Sequence, residues 1–409
     1  MRKRISIAFV LLAWLAGSAF TLLGQTASSP AAQASGNTPP QQKSLQKPIT
    51  KPAQGQDTAE DSVEQVPITT LEFKPGGTVP GVKGSPAYTN PVLCSADGIP
   101  YVSFLDIGNL GMQTVTSLDP KGGHVFSAQA AQGLYDINNI QAYFVAQSFV
   151  GLLVNATKDS TKSSQTINLG KGIPPRAVYT GEHHDFLVEF SLDGNFKTAV
   201  ELPDSFHFWR ITALPDDSIL VLGYDRINAR PHLVILDSGG EIKRTLQIPA
   251  QMDEDPVLAQ GQAQEDMVKQ SLAESSLSWW LFASARQKTL MYQAHKNVPI
   301  LEVGAGGVVR EVTIEHPKGY AIETILPSND RWLIRYRKEG LADSGEIDLS
   351  PKARNYVLYE VDAADGSLKR RIEIADGQFY SATCEKDGAV TAFTIDQDKI
   401  NLLSADLGR

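Results

Sequence analysis

Between residues 207 and 249 the chain alternates short apolar runs with polar turns. Four runs suit β-strands: Trp209–Leu214, Ile219–Tyr224, His232–Leu236 and Ile242–Ile248. An Asp216-Asp217 turn, a polar loop and an Asp237-Ser238-Gly239-Gly240 turn separate them. Short β-like runs about ten residues apart, broken by Gly and Asp, predict an antiparallel meander.

The same grammar returns along the chain. "PVLCSADGIPYVSFLD" (91–106) followed by "TVTSLDPKGGHVFSA" gives a first unit, with Asp97-Gly98 at its first turn. "NIQAYFVAQSFVGLLVNA" and "DFLVEFSLDGNFKTAVELP" give a second, and residues 207–249 are the third. "WWLFASARQKTLMYQAHKNVPILEVGAGGVVREVTI" gives a fourth, in which "GAGG" (304–307) falls where a hairpin turn is needed and so reads as a turn, not a phosphate loop. "YAIETILPSNDRWLIRYR" with "YVLYEVDAADGSLKRRIEI" gives a fifth. A sixth, "YSATCEKDGAVTAFTIDQDKINLLSAD" (380–406), stops after three strands.

The missing strand has a candidate at the other end of the chain, "PITTLEFKP" (67–75), which is β-like and has no partner of its own. A self-similar period of about 40–50 residues marks propeller blades, and closing the ring with a terminal strand removes exposed sheet edges. The expected fold is therefore all-β: a six-bladed β-propeller of four-stranded antiparallel blades over 66–409, its ring closed by the N-terminal strand pairing into the last blade. The pattern "LPDDSILVLGYD…LVILDSGGEIKRTLQIP" resembles the NHL-type and TolB-like six-bladed propellers. That resemblance covers most of the body and implies an architecture, which hosts many unrelated activities.

In such a ring, the first-to-second and third-to-fourth hairpins emerge on one face. The second-to-third links and the blade-to-blade links emerge on the other. The hairpins are short throughout: Asp97-Gly98, Asp193-Gly194, Asp216-Asp217, Asp365-Gly366 and Asp387-Gly388. Every long insertion (156–184, 251–277 and 338–354) belongs to the second set, so function is expected on that face, around the channel mouth. Residues leading into the first strands would rim this mouth: Tyr88, Asn139, His207, Phe208, Trp279, Tyr320, Phe379 and Tyr380. Asp106, Asp225, His295, Arg337 and Asp396 end second strands and add charge there. Aromatic rims suit sugars, peptides or flat organic ligands, although such rings equally pack between blades. The acidic stretch "QMDEDPVLAQGQAQEDMVKQSLAESS" (251–276) is mostly helix-compatible from Asp255, with a sparse apolar stripe of Leu258, Met267 and Leu272. It suits a surface helix laid over the blades, or a lid or docking helix.

Composition changes the picture in two ways. The 33 Gly and 23 Pro fit a turn-rich β protein. The net charge of −9 includes three basic residues at the start, Arg2, Lys3 and Arg4, so the remainder is more acidic still. Such a body repels phosphate backbones and anionic lipid surfaces, which excludes nucleic acid as the expected partner. The three basic residues precede an apolar run, "ISIAFVLLAWLAGSAFTLL", with a small-residue site at Gly17-Ser18-Ala19. Residues 1–24 thus read as a signal peptide or, uncut, a signal anchor, and they place the body in the periplasm or outside the cell. Residues 25–65, rich in Gln, Ala, Ser, Pro, Lys and Thr, read as a disordered spacer. Membrane contact is expected only through an uncut leader.

Cys94 and Cys384 each stand three residues before an Asp-Gly turn, at the same place in the first and sixth units. Export favours a disulfide between them, and two buried thiols are the alternative. "GEHHD" (181–185) places two His beside acids, but adjacent strand residues point to opposite faces, which makes a shared metal awkward. His207 is the better lone candidate for acid–base chemistry. G-x-S-x-G, H-E-x-x-H, P-loop, G-x-G-x-x-G and C-x-x-C motifs are absent. The first expectation is a non-catalytic scaffold binding a small ligand, a glycan or a protein on its long-loop face. Protein assembly through the acidic insertion ranks second. The third is a propeller hydrolase resembling the gluconolactonase-like enzymes, a likeness that implies a divalent cation held in the channel by Glu, Asn and Asp. Asn90, Asn139 and Asp396 are scattered candidates without a match to that set. No cofactor is expected, and a hard oxygen-rich site there would take Ca²⁺.

Overall fold

Six four-stranded antiparallel sheets form the blades of a propeller ring, and five of them run in chain order from inner to outer strand. The structure, a computed structural model, describes residues 66–85, 88–105, 113–137, 140–158, 164–167, 176–179, 182–227, 230–237, 239–249, 277, 280–285, 287–328, 330–339, 356–375 and 384–408. Blade one is Tyr88–Cys94, Pro100–Leu105, Gln113–Ser117 and Val125–Phe126. Blade two is Ile140–Val145, Phe149–Ala156, His184–Ser191 and Phe196–Glu201. Blade three is Phe206–Ala213, Ile219–Asp225, Arg230–Leu236 and Ile242–Leu246. Blade four is Trp280–Ala285, Lys288–Gln293, Ile300–Gly304 and Gly307–Val312. Blade five is Tyr320–Pro327, Arg331–Lys338, Tyr356–Asp362 and Leu368–Ile374.

Blade six draws Cys384–Lys386, Ala389–Asp396 and Lys399–Asp406 from the end of the chain and its outer strand, Lys74–Thr78, from the beginning. The closing strand is thus displaced from the expected 67–75. Ile68–Leu71 instead runs parallel to Leu368–Ile374 as a fifth, outermost strand of blade five. Lys74–Thr78 then pairs antiparallel with Lys399–Asp406. The chain therefore straps two blades rather than one. Leu71, only 1% exposed, is buried with Phe73 between blades five and six. All five residues of Lys74–Thr78 are exposed, so the closing strand holds by backbone pairing and a Thr78 Oγ1–Asn401 hydrogen bond and carries no apolar signature.

A hydrophobic cluster fills each of the six blade junctions. The second strands show why "LPDDSILVLGYD" recurs. In Ile219–Asp225, Ile219 and Val221 pack towards blade two, while Leu220, Leu222 and Tyr224 pack towards blade four. Radial sheets bury both faces of such a strand, so it is apolar at every position instead of alternating. The acidic turns follow from backbone geometry. Asp217 and Asp387 take left-handed φ values of 64° and 52°, a region Asp tolerates better than most residues. At Gly366 (φ 78°) an added Cβ would stand 2.1 Å from the Thr313 carbonyl oxygen of the neighbouring blade.

The 156–184 insertion contains a small antiparallel hairpin, Ser164–Ile167 with Arg176–Tyr179, which the sequence did not announce. The leader, the spacer and the acidic 251–276 insertion lie outside the described residues, as does most of 338–354. Among the described residues no helix is long and apolar enough to cross a membrane.

Candidate functional site

The inner strands are irregular, and the irregularities shape the channel. In blade two Ile140 pairs with Val154 and Ala142 with Leu153, leaving Gln141 as an extra residue. Blade three repeats this at Trp209, between Phe208 and Arg210, and blade five at Glu323, between Ile322 and Thr324. A bulge sharpens the local twist and re-aims side chains, here at matching places in three inner strands.

Gln141 and Arg210 then line a cavity of about 180 Å³ between the inner strands of blades one to four. Leu93, Ile140, Val145, Ile211, Leu281 and Phe282 supply apolar wall, and Arg210 is the charged residue among those described there. Its Nε donates to the Trp280 carbonyl at 3.1 Å, and its guanidinium lies 6.0 Å from the Trp209 ring centroid. Burial holds this guanidinium below its ordinary pKa. Most other polar groups of the wall are bonded within the protein. Gln113 donates to Ser103 Oγ and accepts from the Ile140 N–H (2.5 and 3.1 Å). The Tyr143 hydroxyl donates to the Tyr101 carbonyl at 3.0 Å, and burial raises its pKa. A hydroxyl chain runs from Thr212 to Ser284 (3.0 Å), to Thr289 (3.5 Å) and to the Ala213 carbonyl (3.2 Å). Gln141 Nε2 donates to Asp185 Oδ1 at 3.3 Å, and Asn155 donates to the same oxygen at 2.9 Å.

Cys94 also lines this cavity and is disulfide-bonded to Cys384, their Cα atoms 5.7 Å apart. The bond joins the first and last blades. A smaller recess of about 90 Å³ lies on its hairpin-face side, bounded by Gly98, Ser284, Pro327 and Glu385 among others.

The described rim residues fall at separate places in the ring. Tyr88 packs edge-on between blades one and six, 6.5 Å from the Phe104 ring and 5.4 Å from Phe393. Phe208 is buried at the junction of blades two and three, not at the rim. His207 and Asp225 share a corner of blade three. His207 Nδ1 is 3.4 Å from Arg226 Nη2, and Asp225 caps the Ile227 N–H at 2.8 Å with His232 Nε2 3.8 Å away. Burial lowers the His232 pKa, opposed by Asp225. Tyr320, Arg337 and His295 meet at the junction of blades four and five. There Asn297 donates to the Tyr320 carbonyl at 2.9 Å, and the His295 N–H donates to the Ile322 carbonyl at 2.7 Å. Burial and then Arg337 lower the His295 pKa, while Glu323, 2.6 Å from Arg335, opposes them. Asp396 is exposed at the tight second-to-third turn of blade six. Asp106, Asn139, Trp279, Phe379 and Tyr380 lie outside the described residues, as does the side chain of Asn90.

The two His of "GEHHD" diverge. His183 Nε2 is 3.3 Å from Asp136, whereas His184 Nδ1 is 2.8 Å from Asp204 and 3.3 Å from Glu201. Among the described residues no group of three His, Cys, Asp or Glu is arranged to hold a metal ion. Sequence reasoning missed Arg210 and Gln141. The signal for Arg210 was available: it is a formal charge inside the apolar run "FHFWRITAL".

No family model matches the chain, and no curated protein sequence does. Several solved structures are similar to it. A protein of unknown function from Bacteroides caccae matches with a TM-score of 0.38 and 10% identity over 74% of this chain and 94% of that one. Virginiamycin B lyase from Staphylococcus aureus gives 0.35 and 13%, over 82% and 99%. The GH74 xyloglucanase from Xanthomonas campestris gives 0.39 and 12%, over 83% of this chain and 46% of that one.

Proposed function

We propose that this propeller is an exported, non-catalytic scaffold that holds a ligand or partner through its long-loop face and the channel beneath it. One observation carries the reading: the bulged inner strands of blades two and three leave a lined, solvent-reached cavity of about 180 Å³ in the channel. The long insertions are expected on the face where those strands begin. Such placement, variable connections over a rigid ring, is where binding function usually resides. The Cys94–Cys384 disulfide supports export, because such bonds persist in oxidising compartments. The basic, then apolar, N-terminus supports the same location.

The test separates a scaffold from a cation-dependent hydrolase. Full-length protein is purified without chelator, its metal content is measured, and its melting is followed as Ca²⁺ is titrated. The scaffold reading expects no stoichiometric metal and no saturable rise, together with retention of a ligand on a glycan array or in partner pull-downs. A stoichiometric metal, or a rise that saturates with Ca²⁺, overturns it and puts lactone and ester hydrolysis first.

A further inference from the structure

The bulge in the inner strand of blade two sets a fixed acceptor at the wall of the channel cavity. Gln141 is the extra residue between Ile140 and Ala142; it is exposed and lines the cavity of about 180 Å³. Its Nε2 donates to Asp185 Oδ1 at 3.3 Å, and Asn155 anchors that carboxylate by donating to the same oxygen at 2.9 Å. Asp185 is only 8% exposed. A carboxylate accepts and does not donate, so the Gln141 amide is held with its NH₂ on Asp185 and cannot turn over. Its carbonyl Oε1 therefore points away from Asp185, and among the described residues no donor reaches it. Other polar groups of the wall are engaged within the protein. Gln113 bonds Ser103 and the Ile140 N–H, and the Tyr143 hydroxyl donates to the Tyr101 carbonyl. The hydroxyls of Thr212 and Ser284 donate along a chain that ends on the Ala213 carbonyl. Arg210 Nε donates to the Trp280 carbonyl.

We propose that this cavity binds a small neutral aromatic molecule with one hydrogen-bond donor, of the phenol class. Its hydroxyl would donate to Gln141 Oε1, and its ring would lie against Leu93, Ile140, Val145, Leu281 and Phe282. The inference rests on the ligand-holding reading above and deepens it by naming the ligand class. The size follows from the space: an apolar cavity of about 150 Å³ suffices for benzene, so the channel has room for one ring and one small substituent. The donor follows from the acceptor, because a carbonyl oxygen can be answered only by an O–H or N–H. A flat ring suits this wall, where Phe282 offers an aromatic partner. Neutrality follows from desolvation. An ion pressed against apolar side chains loses far more hydration than one neutral hydrogen bond returns, and an anion would also meet the Asp185 carboxylate behind the amide.

Phenol is the probe. Its affinity for the full-length protein is measured by NMR titration beside toluene, which has the same shape without the donor, and benzoate, a charged ring. The expected result is saturable phenol binding at least about fivefold tighter than either comparator. Gln141→Leu removes the acceptor and keeps an apolar wall. It should lower phenol affinity about fivefold to fiftyfold and leave toluene within about twofold. Ala142→Phe, which fills the cavity from the blade-two wall, should abolish binding of both with Gln141 intact. The wild-type comparison stands even if either variant fails to fold. Absence of phenol binding, or toluene or benzoate binding as tight as phenol, overturns the proposal. So does unchanged phenol affinity in either folded variant. Loss of the phenol site alongside a retained glycan or protein partner leaves the scaffold reading standing. Stoichiometric metal removes that reading whatever phenol does.

Discussion

Opening the Cys94–Cys384 bond should cost this protein most of an ordinary domain's stability. The two cysteines are 290 residues apart in sequence, so the bond closes nearly the whole body into one loop in the unfolded chain. Loop-closure entropy for that length amounts to about 6 kcal/mol at 25 °C on the chain-entropy account. Net folding stabilities run only about 5–15 kcal/mol, so the loss is large. With an unfolding entropy of about 2.1 cal/mol/K per residue, a body of roughly 340 residues should melt about 8 °C lower. The assay is guanidinium unfolding of oxidised and reduced wild type, with a Cys94→Ala/Cys384→Ala double variant. Coincident tryptophan-fluorescence and circular-dichroism transitions are the condition for reading a free energy. Reduction keeps both sulfurs in place, and Cys384 is buried, so the reduced protein isolates the unfolded-state term from packing. The expected outcome is a similar loss in the reduced protein and the double variant. A loss below about 2 kcal/mol on reduction, or one confined to the double variant, would refute the entropic reasoning and assign the effect to packing.

Three further outcomes follow from particular contacts. Gly223→Ala sets a Cβ 2.1 Å from the Phe206 ring and 2.4 Å from the His207 carbonyl oxygen; it should cost about 1–3 kcal/mol or more, whereas Gly306→Ala, with nothing within 4 Å, should stay within about 0.5 kcal/mol in chemical denaturation. Tyr143→Phe removes the hydroxyl that satisfies the buried Tyr101 carbonyl at 3.0 Å and should cost about 1–2 kcal/mol in the same assay. His232 and His295 both have folded pKa values below the usual 6.5 because burial disfavours their charged forms. The unfolded chain then binds more protons, so their contribution is fully present above pH 6.5 and is lost as pH falls through the window below it. Melting followed from pH 7.5 to 5.5 should show this loss in wild type and a shallower one in His295→Gln; an identical slope would remove His295 from the account.

The ring was legible because burial wrote it into the side chains. Second strands such as Ile219–Asp225 must face two blades, so their apolar residues run on without a gap, and Asp-rich or Gly-rich turns punctuate them. The closing strand was not legible in detail, because the outer edge writes nothing. Lys74–Thr78 is exposed at all five positions, and its Pro75 and two glycines argue against a strand by composition. The neighbouring "ITTL" is the more β-like segment, and Leu71 explains why. Its burial between blades five and six demands an apolar residue on a segment that only straps the ring.

The channel was half legible for a related reason. Counting connections gives an expectation for the long-loop face, since loop length is a property of sequence alone. Which side chains reach the channel depends on register, and register in blades two, three and five is reset by single extra residues at Gln141, Trp209 and Glu323. A period-two reading across such a bulge assigns every later residue of the strand to the opposite face. Arg210, just after the blade-three bulge, faces the cavity, whereas Tyr88 and Phe208, which precede the irregularities of their strands, pack between blades. A residue one place after a bulge is thus a better guide to the channel wall than an aromatic residue leading into that strand. An aromatic ring stabilises a junction wherever it lands, as Tyr88 does between Phe104 of blade one and Phe393 of blade six.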